Sequence, residues 1–120
     1  IIDRDADYKK IDALSMASDN VWCAGVILGN PIENWKNIDF NTLKSTLYWN
    51  DETPQEAIIK DANPFDTLAW VINLRLSLNL NIPKGSKIIT GSVMKTRSPK
   101  KGDVVTYNVG NLSETKIRLI

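Results

Sequence analysis

Histidine is absent from the 120 residues, and cysteine occurs once, at Cys23. Without histidine there can be no Ser-His-Asp triad, no Cys-His pair and no histidine-based metal site. A lone thiol forms no internal disulfide, which suits a reducing compartment, so a cytoplasmic location is expected. Cys23 sits in the apolar run VWCAGVILG with no neighbour to activate it, and reads as a packed thiol rather than a nucleophile. An excess of either charge is also lacking: 15 basic and 14 acidic residues leave a net charge of +1. Nucleic-acid binders concentrate basic residues on one surface, so no such partner is expected. The cluster Lys95, Arg97, Lys100 and Lys101 has no interleaved aromatics and reads as a solvated loop. No apolar run approaches the roughly 18–20 residues of a membrane helix, and no membrane partner is expected. A glycine-rich phosphate loop is missing too, since LGNP does not have its spacing.

What is present is an ordinary globular balance, 42% hydrophobic and 24% charged, which argues against a disordered tail. Ile1-Ile2 read as the end of a strand, as in a chain cut from something longer. A short helix is expected from about Ser15 to about Trp22, then a buried strand at Val26-Ile27-Leu28, stopped by Gly29-Asn30-Pro31. Leu43, Ser45, Leu47 and Trp49 alternate with Lys44, Thr46 and Tyr48, the period of a half-buried strand. A turn at Asn50-Asp51 and a partner strand near Glu56 to Lys60 complete a hairpin. Asn63 as cap and Pro64 at the first helical position open the clearest element, a long helix. Phe65, Leu68, Ala69, Ile72 and Leu76 share one face, and Trp70, Val71, Leu74 and Leu78 widen it, so burial on more than one side is expected. Asn79, Asn81 and Pro83 end this helix. A strand from Lys87 to Ser92 follows, then a polar loop and a last hairpin, VVTYNV and ETKIRLI, around Gly110-Asn111. The order implies an α+β fold with a β-rich core.

Three places could carry chemistry. In DRDAD, the alternating Asp3, Asp5 and Asp7 could hold a hard cation or form a solvated loop. Ser18-Asp19-Asn20 is either a polar turn or a cluster facing a cleft. Thr90-Gly91-Ser92 ends the expected strand KGSKIITGSV with two hydroxyls around a glycine. It is either a strand ending in a bulge or a place where backbone approaches a ligand, its amides and hydroxyls donating to a carboxylate or oxyanion.

Four segments in this order, SDNVWCAGVILGNPI, NPFDTLAWVINL, IPKGSKIITGSV and PKKGDVVTYNVGNLSETKIRLI, resemble the C-terminal half of the 2-keto-4-pentenoate hydratase family. That family includes 2-oxohept-3-enedioate hydratases and 4-oxalocrotonate decarboxylases, within the fumarylacetoacetate hydrolase superfamily. The resemblance covers nearly the whole chain. It implies that residues 1–120 are the C-terminal portion of one catalytic-type domain, a mixed, rolled β-sheet core with one long packed helix. It further implies a lyase that hydrates or decarboxylates short unsaturated 2-oxo acids in aromatic degradation. Mg²⁺ or Mn²⁺ would grip the 2-oxo acid, and its carboxylate ligands would lie outside this chain. Alone, then, the chain would bind no metal tightly and catalyse nothing.

By this resemblance Ser92 is the first candidate donor to the 2-oxo acid, with Gly91 and Thr90 beside it. Asp19 and Asn20 match the end of the family's ADN motif near the pocket, and no catalytic residue is assigned. Ser18 departs from the family's alanine, and Val21-Trp22 replace small residues, which favours a second reading: a non-catalytic relative serving as a scaffold or assembly subunit. Hydrolysis of a carbon–carbon bond in an acylpyruvate is a third. Pairing with the missing N-terminal half or a second chain, and homo-oligomer formation, are expected because a domain cut this way leaves apolar surface uncovered.

Overall fold

A computed structural model describes residues 12–120, the side chain of Trp22 excepted. The readings of Ile1-Ile2 as a strand end and of Asp3, Asp5 and Asp7 as a cation site lie outside the described residues. Four strands form one sheet: β1 (Lys44–Trp49), β2 (Gln55–Ile58), β3 (Val104–Val109) and β4 (Ser113–Arg118), in the order β2-β1-β3-β4. Two helices accompany them, α1 (Ala13–Ser18) and α2 (Pro64–Ser77). The fold is therefore α+β with one long helix. Every pairing in this sheet is antiparallel, whereas a mixed sheet was expected.

The alternation read in β1 sets the register. Ser45 pairs with Ala57 and Val109, and Leu47 with Gln55 and Tyr107. Side chains alternate across a sheet, so Ser45, Leu47, Trp49, Val105, Tyr107 and Val109 share one face. Lys44, Glu56, Lys116 and Arg118 take the other. The apolar face is covered only in part. Among the described residues, Ser45 is the one fully buried side chain, at 0% exposure. Its hydroxyl donates to the Ala57 carbonyl at 3.4 Å.

The β1–β2 turn is closed from the far side of the chain. Asn50 takes a left-handed φ of 50°, its N–H donates to the Val104 carbonyl at 2.8 Å, and its Oδ1 accepts from the Val104 N–H at 2.8 Å. Asparagine tolerates this conformation better than most residues, which is why Asn50-Asp51 marks the turn.

Helix α2 begins at Pro64, as the sequence indicates, but Asn63 does not cap it through its side chain. It stands at φ 44°, ψ 53°, so the residue serves as a left-handed corner between the Ile59–Ala62 turn and the helix. The far end stops as read: Asn79 is left-handed at φ 55°, the Leu80 N–H donates to the Arg75 carbonyl at 2.8 Å, and Arg75 Nη2 donates to the Asn81 carbonyl at 3.0 Å. This is the arrangement that satisfies the last carbonyls of a helix. Pro64, Thr67, Leu68, Val71 and Ile72 are half-buried on one face. Trp70, Leu74, Leu76 and Leu78 are exposed, so the helix is covered on one side rather than several.

Three further expectations are corrected. Helix α1 starts earlier and ends at Ser18, because the Asp12 carboxylate accepts from the N–H groups of Leu14 and Ser15 at 2.9 and 3.0 Å. Val26, Ile27 and Leu28 form no strand and are exposed, and Cys23 is exposed rather than packed. Instead, Gly29 and Asn30 lie against β4: a Cβ on Gly29 would come 2.5 Å from Thr115 Oγ1, closer than side chains pack, and the Ser113 hydroxyl donates to the Asn30 carbonyl at 3.4 Å. Lastly, Lys87 to Ser92 has no ladder partner among the described residues. Its isoleucines suit a strand, but neither edge strand, β2 nor β4, pairs with it among the described residues, and the segment runs as a strap with Ile89 63% exposed.

Candidate ligand-binding site

The strap from Ile89 to Met94 lies over the apolar face of the sheet and borders an open hollow of about 480 Å³. Leu47 and Tyr107, opposite each other in the β1–β3 register, form its floor. Ile59, Ala62 and Pro64, where the first hairpin runs into α2, form one wall. Thr90, Gly91 and Ser92 lie on the opposite rim with Val93 and Met94. A volume of this size suits a small organic ligand.

Gly91 has a φ of +117°, a conformation L side chains rarely adopt, and nothing lies within 4 Å of where a Cβ would stand. The rim needs glycine for its backbone and not for lack of room. The N–H groups of Thr90, Gly91, Ser92 and Val93 make no hydrogen bond among the described residues. They are available donors among the described residues. Ser92 is more committed: its hydroxyl donates to the Met94 carbonyl at 2.8 Å and accepts from the Met94 N–H at 3.1 Å. That turn fixes the strap just beyond the glycine.

Asp19 and Asn20 do not join this site. They are exposed at the junction of α1 with the turn Asn20–Trp22, where Asp19 donates its N–H to the Ser15 carbonyl at 3.2 Å and Asn20 is left-handed at φ 47°. Sequence reading also missed Tyr107. Its place in VVTYNV marks it as a strand residue, but only the register opposite Leu47 brings it to the hollow.

The downstream end of the strap is clamped. Arg97, expected in a solvated loop, stacks on Trp49 and pairs with Glu52, while Lys95, Lys100 and Lys101 are exposed as expected. Hydrogen bonds from Arg97 hold the Glu52 carboxyl below its ordinary range and raise Arg97 in turn. Asp103 is likewise lowered, chiefly by the Asn50 amide donating at 2.9 Å, then by the Lys100 N–H at 2.8 Å, with the Trp49 indole at 3.2 Å.

The hollow does not fit a divalent cation on these residues alone. Among the described residues, no carboxylate, histidine or cysteine lines it, and no group of three or more such side chains stands together. Hard cations need several oxygen donors, usually including carboxylates. Nor is any helix among the described residues long and apolar enough to cross a membrane.

Comparison with known proteins gives relatives in one direction. The chain is 25% identical to 4-oxalocrotonate decarboxylase of Pseudomonas putida over the whole of this chain and 46% of the relative. It is 27% identical to the 4-oxalocrotonate decarboxylase of Pseudomonas sp. (strain CF600), with the same coverage. It is also 27% identical to 2-oxo-hept-4-ene-1,7-dioate hydratase of Escherichia coli, over 86% of this chain and 39% of the relative. The chain thus spans less than half the length of these curated relatives. No family model matches it, and no solved structure does. On the strength of these matches, the chain is a relative of the hydratases and decarboxylases whose motif order its sequence resembles.

Proposed function

We propose that this chain supplies one wall of the substrate site of a lyase that hydrates or decarboxylates short unsaturated 2-oxo acids. The observation that carries the reading is the Thr90-Gly91-Ser92 rim: N–H groups unpaired among the described residues around a positive-φ glycine, set over an apolar hollow of ligand size. Successive amides in such a turn form a concave anion receptor, which suits the carboxylate end of a 2-oxo acid. The apolar walls would hold the carbon chain. Ser92 donates to the ligand by exchanging its present bond to the Met94 carbonyl. The rolled core of the fumarylacetoacetate hydrolase type belongs to the same proposal. So does the Mg²⁺ or Mn²⁺ implied by the resemblance, whose ligands would come from polypeptide outside this chain.

Steady-state turnover of 2-hydroxypenta-2,4-dienoate and of 4-oxalocrotonate by the complete protein, with Mg²⁺ present, tests the reading. Gly91→Val removes the rim conformation and is expected to raise KM at least about tenfold, the scale of losing one or two hydrogen bonds to a charged ligand. Ser92→Ala is expected to raise KM as well. An active protein whose KM ignores both substitutions would place substrate elsewhere.

A further inference from the structure

The chain from Thr90 to Pro99 borders two hollows in turn. The first is the candidate site, floored by Leu47 and Tyr107. The second, of about 280 Å³, has Trp49, Val105 and Ile117 on the sheet side and Thr96, Arg97 and Pro99 on the loop side. Trp49 pairs with Val105 as Leu47 pairs with Tyr107. Side chains two apart on a strand share a face, so the rim and Arg97 stand over successive rows of one floor.

Arg97 is fastened to that floor. Its guanidinium stacks on Trp49 and donates to both carboxylate oxygens of Glu52. The platform is itself held: the Trp49 indole donates to Asp103, which also accepts from the Lys100 N–H, three residues past Arg97. Between Arg97 and the rim stand only Lys95, Thr96 and the Ser92–Met94 turn. Arg97 is not among the described residues that line the first hollow, and its fork is engaged by Glu52. We infer that Arg97 is a positioning residue for the candidate site: gripped by Trp49 and Glu52, it fixes through the Ser92–Met94 turn where the Thr90 to Val93 amides stand above Leu47 and Tyr107. Donors already held in place receive an anion without first having to be ordered. The inference rests on the reading of the hollow as a 2-oxo acid site.

The test is an NMR titration of the complete protein with 2-oxopentanoate, read at the amide signals of Thr90 to Val93 and run well below the Tm of every variant. Arg97→Ala is expected to weaken binding about three- to tenfold, the scale of ordering one or two flexible groups on association. At saturation its rim signals should return to the positions they take in the unaltered complex, which neither loss of a ligand contact nor general loosening of the fold would give. Arg97→Lys keeps the charge without the fork or the stack and should fall between. Glu52→Ala should weaken binding much as Arg97→Ala does. The double variant should be little worse than Arg97→Ala alone, because residues that act as a unit are not additive. Unchanged affinity in Arg97→Ala, or losses that add in the double variant, overturn the positioning role while leaving the site standing. Saturated rim signals that differ from the unaltered complex overturn it too, since the bound state itself would then have changed. If the acid moves no rim amide in the unaltered protein, the site is wrong and the role of Arg97 falls with it.

Discussion

The guanidinium of Arg97 lies 4.3 Å from the centroid of the Trp49 ring while donating to both carboxylate oxygens of Glu52, at 2.9 and 2.8 Å. One side chain thus joins the loop after the strap to the end of β1 and the turn that follows it. The planar fork matches the carboxylate and the flat face covers the indole, a pair of contacts that lysine cannot make together. The upstream end is held by Arg75, which reaches the Asn81 carbonyl from the last turn of α2. The strap over the hollow is consequently clamped at its downstream end, and among the described residues the N–H groups of Thr90 to Val93 make no hydrogen bond.

Arg97→Lys is expected to lower Tm and to increase amide hydrogen exchange in residues 90–96 more than in the sheet. Arg97→Ala should do so further, because the stacking area is lost with the charge. Glu52→Gln keeps one hydrogen bond and the stack, and should fall between the wild type and Arg97→Lys. Equal exchange in strap and sheet for all three variants would show that the clamp does not hold the strap.

Two glycines are expected to fail in different ways. At Gly91 the cost of an alanine is the positive φ alone, about 1–3 kcal/mol of local strain. The strap is exposed and can relax, so Gly91→Ala should shift the signals of residues 89–94 with little change in Tm. At Gly29 the Cβ would stand 2.5 Å from Thr115 Oγ1 and 2.9 Å from Ser113 Oγ, both on strand β4. Gly29→Ala should cost about 1–3 kcal/mol by overpacking and detach Gly29-Asn30 from the sheet. Thr115→Ala with Ser113→Ala in the same chain should recover part of that loss. A Gly29→Ala chain with unchanged denaturant midpoint would show the contact is not made.

Asp103 gives the pH dependence a sign. Its carboxyl is held below the ordinary 3.8, first by the Asn50 amide, then by the Lys100 N–H. A group lowered by folding adds stability above its unfolded pKa and loses it as pH falls through the folded value. Asp12, Asp39 and Glu52 are lowered too, so Tm should drop as the pH goes from about 4 downward. Asp103→Asn is expected to lower Tm at neutral pH and to make the acid-side decline shallower, without abolishing it. An unchanged slope below pH 4 would mean that Asp103 contributes nothing through its charge.

Much of this fold was legible because it depends on local signals. The alternation of Leu43 to Trp49 gave β1, and the Asn50 and Gly110 turns gave the hairpins. Pro64 and Asn79 gave both ends of α2. The misreadings share a cause. Ile88-Ile89 and Val26-Ile27-Leu28 carry strand composition, but a strand also needs a partner, and pairing is not local information. The apolar run around Cys23 implies packing, but Val21, Val26, Ile27 and Leu28 are exposed, and so is the thiol. Tyr107 reaches the hollow only through the register with Leu47, which a linear pattern does not reveal. The positive φ of Gly91 accords with a glycine between two hydroxyls, which is a local statement about backbone.

Helix α2 carries the last expectation. Trp70, Leu74 and Leu78 recur every fourth residue along one stripe, and they are 65%, 40% and 59% exposed. Val71 and Ile72, on the adjoining face, are half-buried. In this chain the stripe therefore contributes little to folding, while contiguous exposed apolar surface favours association. Trp70→Gln and Leu74→Gln should each change unfolding free energy by no more than about 0.5 kcal/mol, as for ordinary surface sites. Val71→Ala should cost about 1 kcal/mol, the scale of the apolar area it withdraws from partial burial. Sedimentation velocity across a concentration series should show association of the unaltered chain, reduced in the Trp70→Gln, Leu74→Gln double variant. If instead the glutamine variants unfold as readily as Val71→Ala and sediment like the unaltered chain, the stripe is part of this chain's own core and not a surface for association.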